Sequence, residues 1–133
     1  MHLWSAMAPK ILVIEDREYV RQVMVAVLVD AGYVAVGLPS AITALERLAE
    51  IRPQMILLDM EMPGMNGREF LLRLRAIPRW AELPVLIVSG YGETSPPSPD
   101  RPGIDVLAKP FDNTTLIDLV GRMAGPATIP TSA

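Results

Sequence analysis

The sequence contains no cysteine, so disulfides and thiolate metal sites are excluded, and a reducing compartment suits it. Histidine occurs once, as His2, in a stretch that reads as a frayed terminus and carries no role. Long apolar runs are missing too. The longest is Val23 to Val29, far short of the roughly 20 residues a membrane-spanning helix needs. Met1 to Ala8 has no basic head and no extended apolar stretch, so it does not read as a secretory signal. The expected location is cytoplasmic, with no membrane partner. No Lys/Arg stripe is present and the formal net charge is −3, which argues against a nucleic-acid partner.

What is present suits one folded domain. The chain has 133 residues, 50% of them hydrophobic and 20% charged, enough for a real core inside an ordinary soluble surface. Proline is the outlier: its 13 residues are about twice the usual share of ~5%. Pro96, Pro97, Pro99 and Pro102 cluster, and Pro126 and Pro130 fall in the tail.

Strand and helix patterns alternate along the chain. Lys10 to Ile14 is a short, β-branched apolar run, as expected of a strand buried on both faces. Val20, Val23, Met24, Val27, Leu28 and Ala31 recur at helical spacing, and Gly32 is a stop signal. Tyr33 to Leu38 reads as a second strand. Ser40 caps a helix whose inward face is Ala41, Ala44, Leu45, Leu48 and Ala49. Met55 to Leu58 is a third strand running into Asp59. A turn rich in helix breakers follows, then a helix with Gly67, Phe70, Leu71 and Leu74 on one face. Pro84 to Val88 is a fourth strand ending at Ser89, and Val106 to Ala108 a fifth, followed by Lys109 and Pro110. A last helix groups Leu116, Leu119, Val120 and Met123. This order predicts an α/β fold with a doubly wound five-stranded parallel sheet.

Such sheets bind ligands outside the carboxyl ends of their strands. Those ends here carry Glu15 and Asp16, Asp59, Ser89 and Lys109. Taken singly, Ser89 reads as a turn residue and Lys109 as a surface lysine. Together, at four strand ends, they form a set. Clustered carboxylates suit a hard cation such as Mg²⁺. A carboxylate can also act as a nucleophile toward phosphorus, while a metal, a lysine and a hydroxyl neutralise the transferring group.

The pieces Ile-Leu-Val-Ile-Glu15-Asp16, Leu-Leu-Asp59-Met-Glu61-Met-Pro63-Gly-Met-Asn-Gly67, Val-Ser89-Gly90 and Ala-Lys109-Pro110-Phe111 resemble the response-regulator receiver domain of two-component signalling. The resemblance runs from about Lys10 to Met123. It implies a flavodoxin-like sheet and a phosphoryl group accepted on Asp59 from a sensor histidine kinase or phosphotransfer protein. It implies Mg²⁺, or Mn²⁺ in its place, on Asp16 and Asp59, with Glu15 helping through water and the Glu61 carbonyl as a further ligand. Ser89 and Lys109 would contact the phosphoryl group, Gly90 would leave room for it, and the Lys109–Pro110 bond would be cis. The chain would be no enzyme beyond assisting its own phosphorylation and dephosphorylation.

Two departures bear on output. Val106 stands where the family usually has an aromatic residue, and the prolines from Pro96 to Pro102 fall where its fourth helix usually forms. Proline in a helix interior costs ~3 kcal/mol, so no regular fourth helix is expected across Thr94 to Gly103. Phosphorylation would then act by ordering that loop or changing a homodimer contact near it. The alternative is a degenerate receiver, a phosphorylation-independent interaction module with an unknown downstream partner. The expected organisation is an extension over 1–9, a receiver over 10–124 and a flexible tail over 125–133, either stand-alone or part of a larger protein. A flavin-binding domain would want a phosphate loop where Glu15-Asp16-Arg17-Glu18 stands. An aspartyl phosphatase would carry its acid pair as Asp-x-Asp on the first strand.

Overall fold

Among the described residues, five short runs rich in aliphatic residues pair into one parallel sheet, and four helices flank it. The computed structural model describes residues 8–90 and 103–127. In chain order the elements are β1 (Lys10–Ile14), α1 (Glu18–Asp30), β2 (Val34–Leu38), α2 (Ala41–Ile51), β3 (Met55–Asp59), α3 (Gly67–Ala76), a 3₁₀ turn (Pro78–Trp80), β4 (Val85–Ser89), β5 (Ile104–Ala108) and α4 (Asn113–Ala124). The strand order is β2-β1-β3-β4-β5. The direction of winding reverses beside β1 and β3, so their carboxyl ends open side by side into one crevice.

The strand runs look uniformly apolar because both faces of the sheet are covered. Period-two alternation divides them between two cores. Leu12, Ile14, Ile56, Leu58, Val85 and Ile87 pack with Leu48 of α2 and with Phe70 and Leu74 of α3. Ile11, Val13, Met55, Leu57, Leu86 and Val88 pack with Leu28 of α1 and with Leu116 and Val120 of α4. Each fully buried Leu or Ile of these layers stabilises the fold by about 1.5–3 kcal/mol relative to exposure.

Helix starts follow the cap chemistry in the sequence. Ser40 accepts from the Thr43 N–H at 3.1 Å, Asn66 from Glu69 at 3.0 Å and Asp112 from Thr115 at 2.7 Å. Gly32 ends the first helix region with φ 101°, a conformation costly for any residue with a side chain.

Some boundaries and faces differ from the sequence reading. Val23, grouped with the inward face of α1, is 40% exposed. Ala49 of α2 is exposed, and Ile51 is buried in its place. Tyr33 precedes β2; it is buried and donates its hydroxyl to the Gly125 carbonyl at 3.0 Å. The fifth strand starts at Ile104, two residues before Val106. Trp80 is buried in the 3₁₀ turn with the Arg79 guanidinium 4.9 Å from its ring centre. The expected irregular segment from Thr94 lies outside the described residues except for Gly103. Residues 1–7 and 128–133, within the expected extension and tail, lie outside them too. No helix among the described residues is long and apolar enough to cross a membrane.

Candidate functional site

The sheet brings the five predicted side chains to one edge. Glu15 and Asp16 directly follow β1, and Asp59 and Ser89 are the last residues of β3 and β4. Lys109 directly follows β5. Register explains the placement. Asp59 pairs with Val88, and Ser89 with Ala108, so Ser89 sits one step beyond Asp59 and Lys109 one step beyond Ser89's partner. The Lys109 N–H donates to the Ser89 carbonyl at 2.8 Å, which extends the ladder and fixes where the lysine leaves the sheet. The Lys109–Pro110 bond is cis.

Carboxylate oxygens of Glu15, Asp16 and Asp59 lie within 4.8 Å of one another. Glu15 is 1% exposed and Asp59 5%, while Asp16 is half-buried. The Lys109 ammonium is 3.7 Å from Asp59 Oδ1 and 3.9 Å from Glu15 Oε1. Asp59 Oδ1 also accepts from the Glu61 backbone N–H at 3.3 Å, which ties the start of the β3–α3 loop to the carboxylate. The Glu61 side chain itself faces solvent. A Cβ built on Gly90 meets no heavy atom within 4 Å.

The two buried acids are pushed in opposite directions. Burial drives Asp59 up to about 6, and the neighbouring Glu15 charge adds to it; Lys109, the Glu61 N–H and Arg17 oppose the rise without cancelling it. Burial also acts against charge on Glu15. There the Arg17 backbone N–H, the Arg17 guanidinium and Lys109 prevail and hold the carboxyl below its usual range.

Arg17 is the residue that sequence reasoning missed. Its backbone N–H and its Nε both donate to Glu15 Oε2, at 3.0 and 3.2 Å. A cation immediately after an acid pair was the available signal. The Arg21 guanidinium also donates to the Glu15 backbone carbonyl at 2.9 Å, holding the end of β1 from α1.

The donor set fits a hard divalent cation. Three carboxylates converge, and Glu15 Oε1 is buried with no hydrogen-bond partner among the described residues. Mg²⁺ is held through such oxygens, whereas a soft metal prefers sulfur or imidazole ligands.

A doubly wound parallel sheet with acids, a hydroxyl and a lysine along its carboxyl edge defines a receiver domain. The chain belongs to the response regulator receiver domain family, whose family model matches residues 11–121. It is 35% identical over 120 residues to the response regulator protein FleR of Pseudomonas aeruginosa, a match covering 89% of this chain and 25% of that protein. This chain thus spans about a quarter of that relative. It is 33% identical over 118 residues to the sporulation initiation phosphotransferase F of Bacillus subtilis, covering 87% of this chain and 94% of that one. Its fold resembles the chemotaxis protein CheY4 of Vibrio cholerae, with TM-score 0.77, 29% identity, and 88% and 99% of the two chains covered.

Proposed function

We propose that this receiver accepts a phosphoryl group on Asp59 from a sensor histidine kinase or a phosphotransfer protein and signals through the resulting change of shape. The observation that carries this reading is the position of Asp59: a nearly buried carboxylate beside Glu15 and Asp16, with an ammonium 3.7 Å away. A like-sized match along nearly the whole of a relative named a phosphotransferase agrees with it.

In the transfer, an Asp59 carboxylate oxygen forms a bond to phosphorus. The bond from phosphorus to the donor's nitrogen or oxygen breaks, and the donor keeps that electron pair. Lys109 follows the charge from the carboxylate to the phosphoryl oxygens, and the Ser89 hydroxyl donates to one of them. Asp16, Asp59 and the Glu61 carbonyl would hold Mg²⁺ or Mn²⁺, with Glu15 helping through water, and the cation supplies charge neutralisation there. The chain turns over no separate substrate.

Incubation with acetyl phosphate and Mg²⁺, followed by intact mass, tests the reading. The expected result is a gain of one phosphoryl group. No gain under conditions that label an active receiver would favour the phosphorylation-independent interaction module. Val106 keeps that second reading in view, because a half-buried valine on β5 stands where the family usually has an aromatic residue.

The cation itself gives a second prediction. Millimolar Mg²⁺ is expected to raise the melting temperature, by mass action and by relief of repulsion among the three acids. Asp16→Ala should remove most of the shift. A wild-type melt indifferent to Mg²⁺ would count against the metal assignment.

A further inference from the structure

Glu15 is shared. One of its oxygens, Oε2, takes both donors of Arg17, and the other, Oε1, lies 3.9 Å from the Lys109 ammonium with no hydrogen bond among the described residues. A metal drawn to the three carboxylates therefore meets a Glu15 whose charge is already engaged. The Arg17 side chain is 56% exposed while Glu15 is 1% exposed. The acid is fixed at the end of β1, where its N–H donates to the Leu38 carbonyl, and the guanidinium is free to leave it for water.

We infer that Arg17 is a positioning residue that competes with the divalent cation for Glu15 and so sets how tightly this receiver holds its metal. Without metal, the guanidinium satisfies the buried acid. When the cation arrives, charge repulsion and the demand for Glu15 release Arg17 toward the pocket of about 520 Å³ that it lines together with Lys109 and Gly90. Release costs little, because the guanidinium returns to water while the buried Glu15 keeps the Arg17 backbone N–H, Lys109 and the incoming cation as partners. The Arg17 backbone N–H still donates to Oε2 in any side-chain variant, so the turn after β1 is retained and only the side-chain competition is removed.

This inference rests on the proposed metal-dependent reading of the site, but it is tested by metal binding alone, with no phosphodonor present. The two can therefore fail separately. Calorimetric Mg²⁺ binding isotherms would be measured for wild type, Arg17→Ala, Arg17→Lys, Glu15→Gln and the Arg17→Ala/Glu15→Gln double variant. Arg17→Ala should bind Mg²⁺ roughly fivefold more tightly, the scale of one ion pair whose cation is largely in water. Arg17→Lys, which keeps a charge but loses the Nε donor, should fall between that variant and wild type. Much of the gain should vanish in the Glu15→Gln background, because the competition runs through that carboxylate. A uniform gain in both backgrounds would show a general charge effect and overturn the inference. Unchanged or weaker binding in Arg17→Ala would overturn it as well. Melts of each variant in chelator verify that all are folded. Absence of phosphoryl uptake by wild type, with the isotherms as expected, would sink the phosphoacceptor reading and leave the competition standing.

Discussion

Asp59→Asn is expected to abolish phosphoryl uptake and, in the same protein, to stabilise the metal-free fold at neutral pH. The first effect follows from chemistry: an amide oxygen is a poor nucleophile, and no other acid occupies the end of β3. The second follows from electrostatics. Burial, then the Glu15 charge, lifts the Asp59 carboxyl from an ordinary 3.8 to about 6. A folded-state value above the unfolded one means that the folded protein binds the proton more tightly. The stability this group contributes is full below about 3.8 and is lost as pH rises through about 6. At neutral pH the charged carboxylate therefore works against folding, with a ceiling of about 3 kcal/mol for a shift of this size. Removing the charge by Asp59→Asn recovers part of that. Denaturant unfolding in chelator should show D59N above wild type at neutral pH, with the difference shrinking as the pH is lowered toward 4. Saturating Mg²⁺ should reverse the order, because only wild type keeps the full acid set. A D59N protein that is less stable than wild type in chelator at neutral pH would defeat the electrostatic account. Phosphoryl uptake by D59N at the wild-type rate would defeat the assignment of the acceptor.

The ends of the strands were legible because two patterns coincide there. An uninterrupted aliphatic run can only be a doubly covered strand or a buried helix, and its shortness decides for the strand. A polar residue right at its end then has to sit at the rim. Glu15, Asp16, Asp59, Ser89 and Lys109 all satisfied that argument, and the parallel register places them on one side. Arg17 was passed over for the opposite reason. A charged residue after a strand and before a helix reads as solvated, and most of this side chain is. Its contact with Glu15 depends on how the chain turns back within two residues, which no periodicity encodes. Helix faces drifted in a similar way. Val23 and Ala49 fit an apolar stripe counted by spacing, yet the contact with the sheet favours one narrow line of residues. Met24 and Leu28 occupy that line in α1, and Leu48 and Ile51 in α2. The fifth strand started earlier than expected because Asp105 breaks the apolar run. The acid is accommodated because its own carboxylate accepts from the Val106 N–H at 2.9 Å.

Gly67→Ala is expected to destabilise the fold by roughly 1–3 kcal/mol and to slow phosphoryl uptake, although alanine is the better helix former. Gly67 is the first residue of α3 and is buried against the end of β3. A Cβ there would lie 2.5 Å from Met60 Sδ, 2.9 Å from Met60 Cα and 3.1 Å from the Asp59 carbonyl oxygen. The sulfur belongs to a side chain that can rotate, but Met60 is itself buried in the core beside Phe70 and has little room to give. The Cα and the carbonyl are backbone and cannot turn aside. Relief requires α3 to move away from β3, which stretches the bond from the Gly67 N–H to the Met60 carbonyl, now 3.2 Å, or requires the Asp59–Met60 backbone to shift. A shift of that backbone displaces Asp59 relative to Lys109, and a retreat of α3 pulls on the loop whose Glu61 N–H holds the Asp59 carboxylate. Gly37 makes the contrast. A Cβ there meets Arg21 Cγ at 2.9 Å and Val25 Cγ2 at 3.1 Å, side-chain atoms only, so Gly37→Ala should cost less and leave uptake nearly unchanged. Adding Met60→Ala to Gly67→Ala removes the sulfur clash and leaves the backbone one. The double variant should therefore stay slow in phosphoryl uptake even if part of its stability returns. The measurements are denaturant unfolding and a time course of intact mass with acetyl phosphate. A Gly67→Ala protein as stable and as quickly labelled as wild type would show that α3 is not seated directly on the acceptor strand.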